Sequence, residues 1–417
     1  MDINSLLKPF QHFGVHLGLS RIIKLLANLG NPHQQVPVIH VAGTNGKGSV
    51  CAYLSSVLTE AGYRTGCYTS PHLVDWTERI CINKQPISAE EFSQLILQVQ
   101  DAIQADDEYP TQFEIITAAA CLYFAQQKVD IAVVEVGLGG RLDATNVFDQ
   151  PLVTIITSIS REHWQQLGPT VADIAREKAG IIKPGCPVVI GQLPPEAEKV
   201  VLSRAQELQC SYIAPQPARE IAPGWAEYQT SENSLTIKYP LPLQGQIQLT
   251  NSVLALAAVE ILQKSGWVIS PEAIVNGMSK TQWPGRMQWV TWNQQKLLID
   301  GAHNPAAAHA LRDYLDSLET TKITWIMGML ATKEHRDIFQ ALLRSPDQLY
   351  LVPVPDHSSA NPLELAQIAR EICPELSLCQ TCPDLSSALE AAFISTNNQV
   401  VLCGSLYLIG HFFTLSP

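Results

Sequence analysis

The fold of this chain is decided by the stretch Val38-Ile39-His40-Val41-Ala42-Gly43-Thr44-Asn45-Gly46-Lys47-Gly48-Ser49. Val38–Val41 predicts a buried strand, and Val50–Ala61 predicts the helix that follows the glycine-rich loop. In such an arrangement the backbone N–H groups of the loop and the positive end of the helix dipole bind phosphate. Lys47 would add a compact positive charge at the β- and γ-phosphates of a nucleotide. We therefore predict a phosphate loop made of Thr44, Asn45, Gly46, Lys47, Gly48 and Ser49; the alternative is a tight turn whose lysine is solvated.

The same alternation of strand and helix continues after this loop. Short apolar runs predict further buried strands at Thr65–Thr69, Ile131–Val136, Val153–Ile159 and Val188–Ile190. Helical patterns separate them at Glu90–Ile103, Ile115–Gln126 and Val171–Ala179. Buried strands joined through helices imply right-handed crossovers and a parallel sheet covered on both faces. The predicted fold class is α/β, with a P-loop ATPase domain built on a parallel sheet.

The second half of the chain predicts a smaller domain. From Pro194 to Gly245 the sequence is rich in proline and glutamine, which favours a small antiparallel addition, and Trp283–Arg286 indicates a hinge. Strand patterns then restart at Leu297–Ile299, Ile323–Met327, Leu349–Val352 and Val400–Leu402. We predict a first domain over residues 1–284 and a C-terminal, Rossmann-like α/β domain over residues 285–417.

Composition limits the classes of partner. The 417 residues are 46% hydrophobic and 16% charged, with a formal net charge of −12. A surplus of acidic residues argues against broad nucleic-acid binding, which needs lysine and arginine to meet phosphates. No stretch approaches the roughly 18 uninterrupted apolar residues of a membrane span, and the ten cysteines are scattered along the chain. We expect a cytoplasmic monomer with reduced thiols, bound neither to nucleic acid nor to a membrane.

A buried carboxylate is the second feature that points to phosphate chemistry. Glu135 lies near the carboxyl end of a predicted apolar strand, where a negative charge is costly unless it meets a cation. Beside a phosphate loop the expected cation is Mg²⁺, which prefers oxygen ligands. The alternative is a glutamate that only caps the next loop.

Several longer motifs resemble one known family. They are Gly43–Ser49, Tyr68-Thr69-Ser70-Pro71-His72-Leu73, Val134-Glu135-Val136-Gly137-Leu138-Gly139-Gly140-Arg141-Leu142-Asp143-Ala144-Thr145-Asn146, Glu177-Lys178-Ala179-Gly180-Ile181 and Asp300-Gly301-Ala302-His303-Asn304-Pro305. The first resembles the nucleotide loop of the Mur ligase superfamily. The set, which spans nearly the whole chain, resembles the folylpolyglutamate synthase and dihydrofolate synthase family.

This resemblance implies a set of site residues. It makes Ser70, Glu135 and His163 the Mg²⁺ ligands and Lys178 a carbamylated lysine that helps to hold a second Mg²⁺. Without the resemblance, Lys178 would be read as a solvated lysine in the last turn of a helix. The resemblance adds Asn251, Arg286 and Asp300 as ATP contacts and gives Lys47, Lys178 and His303 catalytic roles, with His303 touching glutamate or the phosphates.

A pterin site is implied at three separate stretches: His16, Leu17, Gly18 and Leu19; Thr111, Gln112, Phe113 and Glu114; and Leu142, Asp143 and Ala144. The alternative for Asp143 is a turn residue. Three positions depart from the family pattern. His16 stands where dihydrofolate-making members often have Asp, Glu162 stands where an Asp often precedes the ligand histidine, and Glu334 stands where an Asp often follows a lysine.

The activity implied by the resemblance is an ATP-dependent, ADP-forming ligase. It would join L-glutamate to dihydropteroate and to the tail carboxylate of reduced folates through an acyl phosphate, with ATP and one or two Mg²⁺ ions. Three alternatives remain: a cell-wall precursor ligase, a P-loop ATP-binding or switch protein, and a nicotinamide-dependent oxidoreductase. The last would use Gly137–Gly140 as its dinucleotide loop, although the full GxGxxG pattern is missing.

Overall fold

The computed structural model describes residues 3–13, 17–230, 235–318, 322–394 and 398–415. Its contacts divide the chain into two units. One comprises Met1–Pro242 and Gln248–Gln282, and the other comprises Leu243–Ile247 and Trp283–Pro417. The change of unit after Gln282 lies close to the predicted boundary at residues 284 and 285. That the first domain is an ATP- and pterin-binding Mur-ligase-type domain, and the second a glutamate-ligase domain, stays a prediction.

An eight-stranded sheet forms the centre of the first unit. Its strands are β1 Val38–Ala42, β2 Thr65–Tyr68, β3 Ile80–Ile82, β4 Gln85–Pro86, β5 Ile131–Glu135, β6 Val153–Ile156, β7 Val188–Ile190 and β8 Tyr212–Ile213. The order across the sheet is β4-β3-β2-β5-β1-β6-β7-β8, and all neighbours from β2 to β8 are parallel. A separate antiparallel sheet contains β9 Arg219–Ala222, β10 Trp225–Gln229 and β11 Thr236–Pro240.

Helices connect and cover these strands. They are α1 Ile3–Leu7, α2 Ser20–Asn28, α3 Lys47–Glu60, α4 Ala89–Asp101, α5 Gln112–Gln126, α6 Trp164–Leu167, α7 Val171–Ala179, α8 Pro195–Glu207, α9 Ile247–Lys264 and α10 Pro271–Ser279. The prediction of an antiparallel addition from Pro194 was wrong at its start, because α8 comes first. Pro195 is the first residue of that helix, a position where proline's fixed φ favours helix entry.

The sheet is packed on both faces. Tyr68, Ala132 and Val134 belong to one apolar cluster with residues of α1, α2, α4 and α5. Because successive strand residues point to opposite faces, the intervening residues are left to the other side. There α3 contacts β1, β2 and β5 and packs in turn on α10.

The second unit repeats the α/β pattern on a smaller scale. Its strands are β12 Gln288–Trp292, β13 Gln295–Ile299, β14 Ile323–Met327, β15 Gln348–Leu351, β16 Leu378–Thr381 and β17 Gln399–Cys403. Its helices are α11 Pro305–Ser317, α12 His335–Leu342, α13 Pro362–Ile372, α14 Leu385–Ile394 and α15 Leu406–Thr414. The sheet order is β12-β13-β17-β14-β15-β16, with only β12 antiparallel. Among the residues described, no helix has the length and apolar character to cross a membrane.

Candidate active site

Four neighbouring strands of the first unit end at one edge of the sheet. The strands β2, β5, β1 and β6 lie side by side and run parallel. Loops that leave the carboxyl ends of adjacent parallel strands meet in one crevice, which is where ligands bind in open α/β sheets. Ser70, the phosphate loop, the loop from Val136 to Asn146, and His163 all follow these strand ends.

The phosphate loop is held from one side by the segment that follows β6. Thr44 N donates to the Ser158 carbonyl at 2.7 Å, and Asn45 N donates to Ser158 Oγ at 3.0 Å. Thr157 Oγ1 donates to the Asn45 carbonyl at 2.7 Å. These three bonds tie the first residues of the loop to the segment after β6 and so fix the path of its backbone.

Lys47 and Glu135 face each other beside this loop. Lys47 is the first residue of α3, and its Nζ lies 3.9 Å from Glu135 Oε1 and donates to the Thr44 carbonyl at 3.2 Å. Glu135 is 4% exposed, and its Oε2 accepts from Ser70 N at 3.2 Å. The structure therefore brings three predicted residues together and places a cation beside the buried carboxylate.

His163 lies in the same loop region but is more open. It precedes α6, and its Nε2 is 4.0 Å from Glu162 Oε1, with 46% of the imidazole side chain exposed. In the part of the chain that the structure describes, no group of three or more His, Cys, Asp or Glu side chains is arranged to hold a metal ion. Because the predicted set relies on a serine for its third ligand, this finding does not test it, and Ser70, Glu135 and His163 stay predictions.

Lys178 is buried rather than solvated. Only 6% of the residue is exposed, and its Nζ donates to the Gly43 carbonyl at 2.7 Å. Burial, together with the nearby charge of Lys47, lowers the pKa of Lys178 to about 7. The alternative of a solvated surface lysine is wrong, because the helix end that carries Lys178 is covered.

The loop after β5 provides that cover. Arg141 N donates to the Glu177 carbonyl at 2.7 Å, and a methyl group on Gly140 would lie 2.7 Å from the same carbonyl oxygen. Only a residue without a side chain allows the loop to approach α7 so closely. The element that follows this loop is β6 and not a helix, so Gly137–Gly140 lacks the strand-loop-helix setting of a dinucleotide loop.

A hydrogen bond joins two of the three predicted pterin stretches, and the third contacts Arg21, which follows the first. Gly18 N donates to the Leu142 carbonyl at 3.3 Å. Arg21, just after Leu19, donates from Nε to Glu114 Oε2 at 3.1 Å. The ring of Phe113 stacks at 6.2 Å from that of Tyr68 on β2. His16 lies outside the described residues.

Asp143 uses both carboxylate oxygens inside its own loop. Oδ2 accepts from Leu138 N at 2.8 Å, and Oδ1 accepts from Thr145 Oγ1 at 2.6 Å. Burial raises the pKa of Asp143, and these hydrogen bonds oppose the rise. Oδ1 also accepts from Thr145 N at 3.0 Å, so the structure supports the turn role of Asp143.

The ATP contacts predicted in the second unit lie at the end of β13. Asp300 accepts from Met287 N and from Ala302 N, each at 2.8 Å, and burial raises its pKa against the opposing effect of Arg286. The guanidinium of Arg286 packs against Gly301. His303 Nδ1 donates to the Gly301 carbonyl at 2.7 Å, just before Asn304 caps α11.

Family models match most of the chain. A model of the Mur ligase middle domain matches residues 41–259, and one of the dihydrofolate synthetase C-terminal domain matches residues 286–415. A Bacillus subtilis protein named dihydrofolate synthase/folylpolyglutamate synthase is 36% identical over 410 residues, covering 95% of this chain and 94% of that protein. The chain belongs to the folylpolyglutamate synthase and dihydrofolate synthase family.

Solved structures agree with this family. A Mycobacterium tuberculosis folylpolyglutamate synthase complexed with ADP matches with a TM-score of 0.89 at 31% identity, covering 100% of this chain and 98% of that one. Escherichia coli FolC in complex with DHPP and ADP matches with a TM-score of 0.84 at 30% identity, covering 98% and 95%. The predicted family and the predicted α/β fold class are confirmed.

Sequence reasoning missed the residues that shape the family motifs from a distance. Thr157 and Ser158 brace the phosphate loop, and Arg21 pairs with Glu114. Gln248 accepts from Asn251 Nδ2 at 3.2 Å beside the same loop. None of these residues lies inside a motif, so only their contacts in the folded structure reveal their roles.

Gly46 provides a test of the loop's shape. Its φ is +87°, and a methyl group there would collide with the side-chain oxygen of Asn251. We expect Gly46→Ala to weaken ATP binding at least about tenfold, because backbone strain and the collision both displace the loop. Isothermal titration with a non-hydrolysable ATP analogue measures the effect.

Gly62 offers a matched control. Its φ is +91°, yet nothing lies within 4 Å of a methyl group placed there. Gly62→Ala should cost about 1 kcal/mol of stability for the left-handed backbone and leave ATP affinity unchanged. Equal losses of affinity in both variants would contradict the role given to the Gly46–Asn251 contact.

Proposed function

We propose that this protein joins the amino group of L-glutamate to the carboxylate of dihydropteroate and to the tail carboxylate of reduced folates, converting ATP to ADP and phosphate. The observation that carries the proposal is the meeting of the phosphate loop, buried Glu135 and buried Lys178 at one sheet edge. Relatives named for both synthase activities support the choice of substrates.

The chemical difficulty of this reaction is that a carboxylate is a poor electrophile. Transfer of the γ-phosphoryl group of ATP to the acceptor carboxylate gives an acyl phosphate and ADP. The glutamate amine then attacks the acyl carbon, and phosphate leaves. Phosphoryl transfer is mainly a matter of positioning and charge neutralisation, which Lys47 and the loop N–H groups supply.

The residues around Glu135 fit a magnesium ion. A buried carboxylate, a serine hydroxyl and an imidazole offer the oxygen and nitrogen donors that a divalent cation accepts, and Glu135 already lies within 4 Å of a positive charge. Ser70, Glu135 and His163 would hold this ion. When bound, Mg²⁺ supplies positive charge next to the phosphates.

Lys178 fits a carbamate for a chemical reason. Carbon dioxide reacts with a neutral amine, and the lowered pKa of Lys178 keeps a substantial share of its amine neutral near pH 7. The reaction of the amine with CO₂ forms a carbamate anion and releases one proton. That anion would help to hold a second Mg²⁺, as in the family pattern.

Two buried polar atoms support the pterin site. In the described part of the chain, Glu114 Oε1 and Gln112 Nε2 are buried without a hydrogen-bond partner. Buried polar groups are normally satisfied, so each of these atoms is a candidate partner for a polar atom of a ligand. The edge of a pterin has both donors and acceptors, and Phe113 offers an apolar face. Leu17, Gly18, Leu19, Thr111, Leu142, Asp143 and Ala144 complete the proposed site.

The second unit is proposed to handle glutamate and part of the nucleotide. Asn251, Arg286 and Asp300 are each proposed to contact ATP. His303 would contact the incoming glutamate or the phosphates. We further propose that the protein works as a cytoplasmic monomer without nucleic-acid or membrane partners.

The decisive experiment measures ADP release with three acceptors. Dihydropteroate, tetrahydrofolate and a cell-wall nucleotide precursor are each assayed with and without L-glutamate. We expect glutamate-dependent ADP release with the first two and none with the third. The expectation of two activities rests on the Arg141–Ala144 stretch, which resembles the dihydropteroate-accepting type.

Every other pattern of ADP release would indicate a different function. Activity with tetrahydrofolate alone would make this a tail-extending synthase, and activity with dihydropteroate alone a dihydrofolate synthase. Activity with the cell-wall precursor would indicate a Mur-type ligase. ADP release that ignores glutamate would indicate an ATPase or switch protein.

A further inference from the structure

A buried ion pair lies behind the proposed pterin site. Arg21 is the second residue of α2, and its side chain is 4% exposed. Its Nε donates to Oε2 of Glu114, whose side chain is 3% exposed, at 3.1 Å. The guanidinium also reaches Glu108 Oε1 at 3.4 Å, but that glutamate is 63% exposed. The strongly desolvated interaction is therefore the one with Glu114.

The two oxygens of Glu114 have different surroundings. Oε2 accepts from Arg21 and, at 2.7 Å, from Thr111 N in the capping box of α5. Oε1 is buried and has no hydrogen-bond partner among the described residues. An unsatisfied carboxylate oxygen is unfavourable in a protein interior, so its retention needs a reason.

A capping role alone does not explain this arrangement. The capping box of α4, formed by Ser88 and Glu91, uses the same residue pattern at an exposed position. There Ser88 is exposed and Glu91 is half-buried, and the box forms from the serine and glutamate alone. The burial of Glu114 and its charge partner is thus additional to helix capping.

We propose that Arg21 is a positioning residue for pterin recognition: it holds the Glu114 carboxylate turned so that Oε1 accepts from the 2-amino and ring N–H donors of the pterin. The inference rests on the proposed function, which supplies the pterin. A buried carboxylate that loses its cation is unstable as an anion. Without Arg21 the Glu114 carboxylate would lose the orientation that turns Oε1 towards the ligand.

The experiment compares dihydropteroate with an analogue that lacks the 2-amino group. The wild-type protein should prefer dihydropteroate by at least about tenfold in kcat/KM, because a buried acceptor is left unpaired by the analogue. Arg21→Gln should raise the KM for dihydropteroate roughly 10- to 100-fold and reduce this preference to near one. The KM for ATP should stay within about twofold, and Arg21→Lys should restore part of the preference.

Arg312→Gln is the matched control for breaking a buried ion pair. Arg312 NH1 lies 3.1 Å from Asp347 Oδ2 in the second unit, with side-chain exposures of 12% and 2%. This variant should lower the melting temperature and leave the preference for dihydropteroate intact. An Arg21→Gln variant that behaves in the same way would overturn the positioning role.

A double replacement keeps the test valid if Arg21→Gln does not fold. Arg21→Gln/Glu114→Gln removes the buried charge together with its partner, so the site stays neutral. It should fold and lack the preference; a wild-type preference in this variant would overturn the inference. If the wild-type protein ligates dihydropteroate and the Arg21 variants show the same KM and the same preference, the inference alone is lost. If the wild-type protein does not ligate dihydropteroate, the proposed function is lost as well.

Discussion

Replacing Lys47 by alanine is expected to lower kcat for ligation by roughly a factor of 10³ while the protein stays folded. Lys47 is the cation next to the phosphate loop, 3.9 Å from Glu135 and first in α3. Without Lys47, less positive charge balances the negative charges of the transferred phosphoryl group and of the Glu135 carboxylate. The effect belongs to the chemical step, so saturating ATP should not restore the rate.

ADP release under saturating Mg-ATP, dihydropteroate and glutamate gives the measurement. Lys199→Ala is a suitable control, because Lys199 is exposed on α8 of the same unit. Both variants should show the circular dichroism and cooperative melting of the wild-type protein. Turnover by Lys47→Ala close to that of Lys199→Ala would exclude the role assigned to the loop lysine.

The sequence was most informative where function depends on short contiguous segments. The strand Val38–Ala42 agrees closely with the expectation, and the helix after the loop begins at Lys47, three residues earlier than expected. Local chemistry decides such a unit, because glycines, the helix entry and the apolar strand are neighbours in the chain. Glu135 followed for the same reason, since it ends an apolar strand.

The remainder depends on contacts between distant residues. Asn45 and Ser158 are separated by 113 positions, and Arg21 and Glu114 by 93, yet each pair is joined by a hydrogen bond. No local pattern marks these partners, because the fold selects them by strand order and helix packing. The burial of Lys178 is a further example: the residue follows helix periodicity, while the loop that covers it comes from β5.

Helix α8 shows a different limit. The segment after Pro194 contains prolines and polar residues that favour loops, and the expected antiparallel strands begin only at Arg219. Proline at the first turn of a helix is compatible with helix formation, whereas proline inside a helix is not. The segment therefore contains the predicted antiparallel strands, but they begin after a helix that the composition did not indicate.

Replacing Lys178 is expected to abolish ligation without destabilising the protein. Burial lowers the pKa of Lys178 from an ordinary value of 10.5 to about 7, so the folded protein binds fewer protons than the unfolded chain between these values. Stability linked to this lysine therefore rises as pH increases from about 7 towards 10.5, and the buried charge is unfavourable at lower pH. Lys178→Met should melt at or above the wild-type temperature at pH 7. Its kcat should fall by roughly 10³-fold, because the anion that would help to hold a second Mg²⁺ is missing.

A carbamate on Lys178 would make the loss of ligase activity depend on CO₂ and therefore reversible. If the working form of Lys178 carries CO₂, then the protein kept in CO₂-free buffer should lose activity and regain it on addition of bicarbonate. Lys178→Ala should recover part of its activity with a small carboxylate such as acetate, which replaces the missing anion. Acetate should not change the activity of Lys199→Ala, which keeps Lys178 and should respond to CO₂ removal and bicarbonate as the wild-type protein does. Native mass spectrometry should show the mass of one added CO₂ on the wild-type protein and none on Lys178→Met. A plain amine at Lys178 in fully active, Mg²⁺-loaded protein would refute the carbamate, and the buried lysine would then have to act through its hydrogen bond to the Gly43 carbonyl at 2.7 Å, as a brace of the phosphate loop.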